Sequence, residues 1–126
     1  MRLALIQSIK GIGAVAAAAI LIEMPEVGRL RKRAVAALAG VAPITRQSGR
    51  WRGQSFIQGG RKPLRDALDM PALVAIRYNP DLKAQYNRMK AAGKPSKVAL
   101  TAIMRKLLIL ANTLVKEDRE WREIRT

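Results

Sequence analysis

Between Ser96 and Val115, the apolar residues Ile103, Leu107, Leu110 and Leu114 recur at helical spacing, and Leu100, Met104 and Leu108 widen the stripe they make. A helix with so broad an apolar surface needs neighbours on more than one side. The stretch therefore predicts a central core helix, opened by Lys94-Pro95-Ser96, with the rest of the chain packed round it. The 126 residues suffice for one domain with one modest core, and 49% hydrophobic content supports it. Residues 1–126 are taken as that domain.

Glycine and proline divide what precedes the core helix. Leu3, Leu5, Ile6 and Ile9 predict a short first helix, followed by a Lys10-Gly11-Ile12-Gly13 turn and an Ala-rich helix from Ala14 to Ile22. Helix, Gly-apolar-Gly turn and helix together resemble a helix-hairpin-helix, whose turn amides sit against a DNA phosphate. A tight turn between two core helices has the same pattern. The run from Gly11 to Ile22 is too short to span a bilayer, is ended by Glu23, and is followed by Met24-Pro25-Glu26 rather than a small-residue cleavage site. After Pro25, a third helix is expected from Val27 to Leu38, with Leu30, Ala34, Val35 and Leu38 inward and Gly40 as its stop. Val41 to Ile44, with Pro43, reads as a short apolar connection. Pro63 suits the start of a helix burying Leu64, Leu68, Leu73 and Ile76, and Pro71 is expected to kink or divide it. Asn79-Pro80 caps the next helix, which turns Leu82, Tyr86 and Met89 to one face and stops at Gly93. The charged tail from Lys116 to Thr126 is expected to fray. The reading is all-α: about six helices, an N-terminal helix-hairpin-helix-like pair and a long basic Gly-rich loop.

Charge narrows the function. The formal net charge is +15, which favours a polyanionic partner: DNA, RNA or an acidic membrane surface. From Val27 to Arg65 the chain carries Arg29, Arg31, Lys32, Arg33, Arg46, Arg50, Arg52, Arg61, Lys62 and Arg65, without one Asp or Glu. A solvated face normally mixes signs, so this interval reads as a footprint for nucleic acid. Inside it, Arg46 to Gly60 (RQSGRWRGQSFIQGG) is the longest polar, glycine-rich run of the chain. Arginines set among Trp51 and Phe56 fit a surface that meets phosphates and stacks on bases, although the same composition also suits a solvated connector. Candidate nucleic-acid contacts are Lys10, Gly11, Gly13, Arg46, Arg50, Trp51, Arg52, Arg61, Lys62 and Arg65. The chain has no cysteine and no histidine, which excludes disulfides, thiolate metal sites and a histidine base. Asp66 and Asp69 share a helix face but sit four residues after Lys62 and Arg65, so ion pairing is expected there and no metal site. Ser48, beside Gly49 and ringed by Arg46, Arg50 and Arg52, is the candidate nucleophile; Ser55 is the other serine of the loop, and either also fits a plain turn residue.

A further pattern runs in order along nearly the whole chain. It comprises Lys10-Gly11-Ile12-Gly13 with Ala17 to Leu21, Gly40 with Ala42-Pro43, Arg46-Gln47-Ser48-Gly49, Trp51-Arg52-Gly53, Ile57, Gly59-Gly60-Arg61, and Leu64-Arg65 with Ala67-Leu68. It continues through Ala75-Ile76-Arg77, Asn79-Pro80, Leu82, Tyr86, Gly93-Lys94-Pro95, Lys97 to Leu100, and Met104 to Leu108. In these residues the chain resembles the C-terminal domain of the insertion-sequence 110/116/902 family of transposases. The resemblance implies a DNA recombinase in which a Holliday-junction-resolvase-like domain binds magnesium through a cluster of acids, and the C-terminal domain supplies a nucleophilic serine, here Ser48. It implies DNA as partner, a guide RNA that directs target and donor recognition, and the acidic domain or a full-length transposase as a protein partner, with oligomers in prospect. It further implies a cytoplasmic, nucleoid-associated protein with no membrane partner and no cofactor of its own. The sequence departs from the family where Lys10 replaces a frequent proline and where Pro63 and Pro71 interrupt a helix usually free of proline. No counterpart of the acidic domain or of the coiled-coil linking segment is present, so cleavage by this chain alone is not expected. The competing expectation is a non-catalytic basic helical protein that binds nucleic acid.

Overall fold

The computed structural model describes residues 2–31, 34–35 and 62–122. Five helices are bounded within them: α1 (Arg2–Gln7), α2 (Ala14–Glu23), α3 (Lys62–Tyr78), α4 (Pro80–Ala91) and α5 (Ser96–Glu117). Ala34 and Val35 are also helical, and no strand occurs among the described residues, so the fold is all-α. Helix α5 is the centre. It packs against α1, α3 and α4, while α2 packs on α1 and α3. Ile103, Leu107, Leu108 and Leu114 are almost wholly withdrawn from solvent, each stabilising the fold by about 1.5–3 kcal/mol relative to exposure. Leu100 and Leu110 are half-buried against the same cluster. By length and apolarity α5 could cross a bilayer, but half of its apolar window is covered by the protein itself, as in the core helix of a bundle.

Local chemistry sets the helix ends. Asn79 precedes α4, and its side-chain oxygen accepts hydrogen bonds from the backbone N–H groups of Asp81 (3.1 Å) and Leu82 (3.2 Å). At the other end of α4, Gly93 adopts φ +94°. The Gly93 N–H donates to the Lys90 carbonyl and the Lys94 N–H to the Met89 carbonyl, which is the Schellman arrangement. Helix α5 stops at Asp118, whose φ of 52° is left-handed, a conformation that aspartate tolerates better than most residues.

Four local expectations change. Residues 25–30 form a turn and a bend, and among the described residues of the expected Val27–Leu38 helix Ala34 and Val35 alone are helical, so no helix starts at Val27. The cause lies far along the chain. Asn112, nearly buried on α5, accepts from the N–H of Gly28 (2.6 Å) and of Leu30 (3.4 Å) and donates to the Leu30 carbonyl (2.8 Å). The bond to the Leu30 carbonyl takes an acceptor that a helix would use, and Gly28 sits at φ +93°, outside the helical region. Second, of the kink or division expected at Pro71, the division does not occur: α3 runs on through it, because Leu68 on one side and Ala72 and Ala75 on the other are fully buried. Their packing offsets the roughly 3 kcal/mol a helical proline costs. Third, the inward face of α3 is Leu64, Leu68, Ala72 and Ala75, whereas Leu73, one position round, is 44% exposed. Fourth, the tail is tied back as far as it is described: the Trp121 N–H donates to Ser8 Oγ at 2.8 Å, and the Trp121 ring packs half-buried on the core.

Candidate nucleic-acid interface

Lys10, Gly11, Gly13 and Arg65 are described in full, and Lys62 as the first residue of α3. Arg46, Ser48, Arg50, Trp51, Arg52 and Arg61, with the rest of the Arg46–Gly60 loop, lie outside the described residues.

The Lys10–Gly13 turn is built from both sides. Ile9 and Ile12 point into the core and anchor it. Gly11 adopts φ +114°, and a Cβ there would lie 2.9 Å from Ala75 Cβ and 3.0 Å from Ala75 Cα. Only glycine lets the turn rest directly on α3. The Lys10 carbonyl accepts a hydrogen bond from Asn79 Nδ2 at 2.9 Å. The fully buried Asn79 side chain thus caps α4 through its oxygen and fastens the turn through its nitrogen, leaving the Lys10 side chain exposed.

Gly13 has a different environment. It is exposed, nothing would meet a Cβ there within 4 Å, and it stands at the N-cap of α2 with no side-chain cap for the first-turn amides. Ala14 and Val15 follow it, exposed. Helix N-termini carry partial positive charge, so this end can receive an anion. Beside it, an open cleft of about 770 Å³ lies between α2 and α3, lined by Val15, Ala19, Met70, Pro71 and Val74 among others, with Asp66 as its charged residue. That lining is apolar and does not suit phosphate.

The structure separates the candidates on α3 from those on the turn. Gly11 touches Ala75, ten residues after Arg65, a distance of about 15 Å along a helix axis. Arg65 is half-buried beside Leu64, and Lys62 opens the far end of α3. Among the described residues no three or more His, Cys, Asp or Glu side chains converge as metal ligands, so the magnesium implied by the resemblance finds no fitting donor set among them. The reading of the sequence missed two polar residues, the turn-fastening role of Asn79 and the whole role of Asn112. The signal for Asn112 was present: a lone amide between Ala111 and Leu114 on the apolar stripe has to be hydrogen-bonded if it is buried.

Comparison with known proteins bears on this arrangement. Residues 3–87 match the Transposase IS116/IS110/IS902 family. The chain is 35% identical over 123 residues to the pilin gene-inverting protein of Moraxella bovis, covering 94% of this chain and 38% of that protein, and the Moraxella lacunata protein of the same name matches equally. It is 27% identical over 112 residues to the insertion element IS110 uncharacterized 43.6 kDa protein of Streptomyces coelicolor, covering 87% of this chain and 28% of that one. The chain thus spans less than two fifths of the length of these relatives. With a family match running from α1 into α4, and identity to the Moraxella proteins spread along nearly its whole length, the chain belongs to the IS116/IS110/IS902 transposase family.

Proposed function

We propose that this chain is the serine-bearing, nucleic-acid-binding part of a transposase, a DNA recombinase in which Ser48 attacks a phosphodiester. The observation that carries the reading is the 35% identity, over 94% of the chain, to proteins named for inverting a gene. Inverting a gene requires DNA strands to be broken and rejoined. Ser48 Oγ would bond to phosphorus while the bond from phosphorus to one deoxyribose oxygen breaks. The serine gives up its proton and the departing oxygen takes one up, leaving a Ser48 phosphodiester and a free hydroxyl. Attack by a hydroxyl of another strand reverses the step and frees Ser48. Arg46, Arg50 and Arg52 stabilise the charge that builds on the phosphate, and Trp51 stacks on a base. Arg61, Lys62 and Arg65 extend the basic strip on to α3. The Lys10–Gly13 turn, read as a helix-hairpin-helix, places the open end of α2 against a further phosphate. Magnesium belongs to an acidic resolvase-like domain, for which the greater length of the relatives leaves room. The same phosphate chemistry accepts a guide RNA, and the working assembly is an oligomer on the nucleoid in the cytoplasm. The second reading, a binding protein without cleavage, draws on the net charge of +15, which supports affinity alone.

A denaturing gel with end-labelled DNA separates the two. Supplied with the acidic domain of a related transposase, the chain is expected to form a covalent adduct. Ser48→Ala is expected to abolish the adduct and leave binding nearly intact, and Ser55→Ala to keep both. An adduct that persists in Ser48→Ala would rule out the nucleophile, and an adduct formed by the isolated chain would remove the need for a second domain.

A further inference from the structure

The turn after α2 gathers cations that the proposed interface leaves out. Met24 and Val27 are buried, Leu30 is half-buried against the core and Val35 is buried, so the segment is pinned by apolar residues on both sides of Arg29 and Arg31. Gly28 lies where a Cβ would come within 2.5 Å of Val115 Cγ1 and 3.4 Å of the Lys116 nitrogen, so the turn is seated on the end of α5. Asn112 then holds Leu30 by both backbone polar groups, taking its N–H and giving to its carbonyl. With Leu30 fixed inward, Arg29 and Arg31 on either side are exposed. Neither makes an ion pair with a described residue. Glu26, the acid of the turn, is half-buried and already has a partner. A third cation joins them: Arg2 Nη1 donates to the Pro25 carbonyl at 2.9 Å. Arg2 thus reaches the turn that carries Arg29 and Arg31, and Asn112 holds that turn.

A guanidinium offers only donors, in a planar fork that matches a phosphate. Arg29 and Arg31 also open the acid-free interval that runs to Arg65. We propose that the Pro25–Arg31 turn is a second phosphodiester-binding site, with Arg29 and Arg31 as its contacts and Asn112 as the residue that positions them. The site rests on the nucleic-acid reading above and gives Arg29 and Arg31, there only members of a basic interval, a defined turn and a positioning residue.

The test is fluorescence anisotropy of the full chain on labelled duplex DNA and on single-stranded RNA across a salt series. Each neutralised phosphate adds about 0.9 to the slope of log K against log salt on duplex DNA and about 0.7 on a single strand. Arg29→Ala/Arg31→Ala is therefore expected to flatten the slope by about 1.8 on DNA or about 1.4 on RNA, and Arg29→Lys/Arg31→Lys to restore most of it. The strand whose change comes nearer its own expected value, about 1.8 on DNA or about 1.4 on RNA, is the preferred one. Asn112→Ala is expected to weaken binding less than the arginine pair does, and to have no effect where both arginines are already alanine. Because the two arginines are exposed, their variant keeps the site testable even if Asn112→Ala loses its fold by circular dichroism. An unchanged slope in the arginine pair, with a flattened slope in Arg46→Ala/Arg50→Ala/Arg52→Ala, overturns this site and leaves the wider reading standing. No binding by the wild-type chain overturns both. An Asn112→Ala effect of equal size with and without the arginines removes its positioning role.

Discussion

Gly11→Ala asks whether the first turn is seated on α3 as its geometry requires. Two costs add. At φ +114°, an alanine occupies a region L-residues avoid, at about 1–3 kcal/mol. Its Cβ also meets Ala75 Cβ at 2.9 Å, Cα at 3.0 Å and N at 3.2 Å. Two of those atoms are helix backbone and cannot swing aside, so turn or helix must shift, at about 1–3 kcal/mol for overpacking. Alanine stiffens the unfolded chain, which returns about 0.4–1 kcal/mol. The net loss is about 2–5 kcal/mol, a large share of the 5–15 kcal/mol typical of a domain. Gly13→Ala is the internal control. Its φ is −89° and its surroundings are open, so only the modest N-cap preference for glycine is lost, and stability should stay within about 1 kcal/mol. Urea unfolding followed by far-UV circular dichroism measures both. With a slope of about 1–3 kcal/mol per molar, Gly11→Ala should lower the midpoint by roughly 1–3 M. A midpoint for Gly11→Ala equal to that of Gly13→Ala would refute the contact with Ala75 and the account of the turn built on it.

Two other outcomes follow from the same geometry. Asn79→Ala removes the α4 cap and leaves the Lys10 carbonyl without its donor, so thermal unfolding should show a loss of about 2–4 kcal/mol. Asn79→Asp keeps the cap but turns an acceptor towards that carbonyl, and should fall between wild type and Asn79→Ala; equal stability of the two variants would mean the tie to Lys10 contributes nothing. Gly13→Ala, though stable, places a methyl group where a phosphate would approach α2, and should bind DNA more weakly in a filter-binding assay; unchanged affinity would take this turn out of the interface.

What could be read from the sequence was local or periodic. The α5 stripe is legible because a repeat near 3.6 is written into the residues themselves, and the core falls where Ile103, Leu107 and Leu114 put it. The Asn79-Pro80 start and the Gly93 stop are equally legible, since both are decided within one helical turn. The helix start expected at Val27 shows the limit. Its apolar spacing is acceptable, but Gly28 takes φ +93° and Asn112, 82 residues beyond Leu30, claims the Leu30 carbonyl. Gly11 and Gly13 look alike in sequence, and only the position of Ala75 makes one a packing glycine and the other an open N-cap. Trp121 sits in a charged tail with no periodicity to flag it, and its place is set by Ser8 at the other end of the chain. Ser48 and the arginines round it are expectations from composition and family resemblance that lie outside the described residues.

The two buried amides give the apolar helix α2 a role beside the charged turns. Helix α2 carries no cation and leaves Val15 and Ile22 largely exposed. Its contribution is spacing. The turn before it is fastened by Asn79 and the turn after it by Asn112, each on a separate core helix junction or core helix. Ten residues of helix hold the two turns about 15 Å apart. Lys10 and Gly13 stand at one end, Arg29 and Arg31 at the other. Flexible turns would have to be ordered when a strand binds, at about 1–2 kcal/mol of backbone entropy per residue fixed. Here that ordering is completed on folding, through side chains that never reach the surface, so the charge can sit in turns without the affinity lost to disorder.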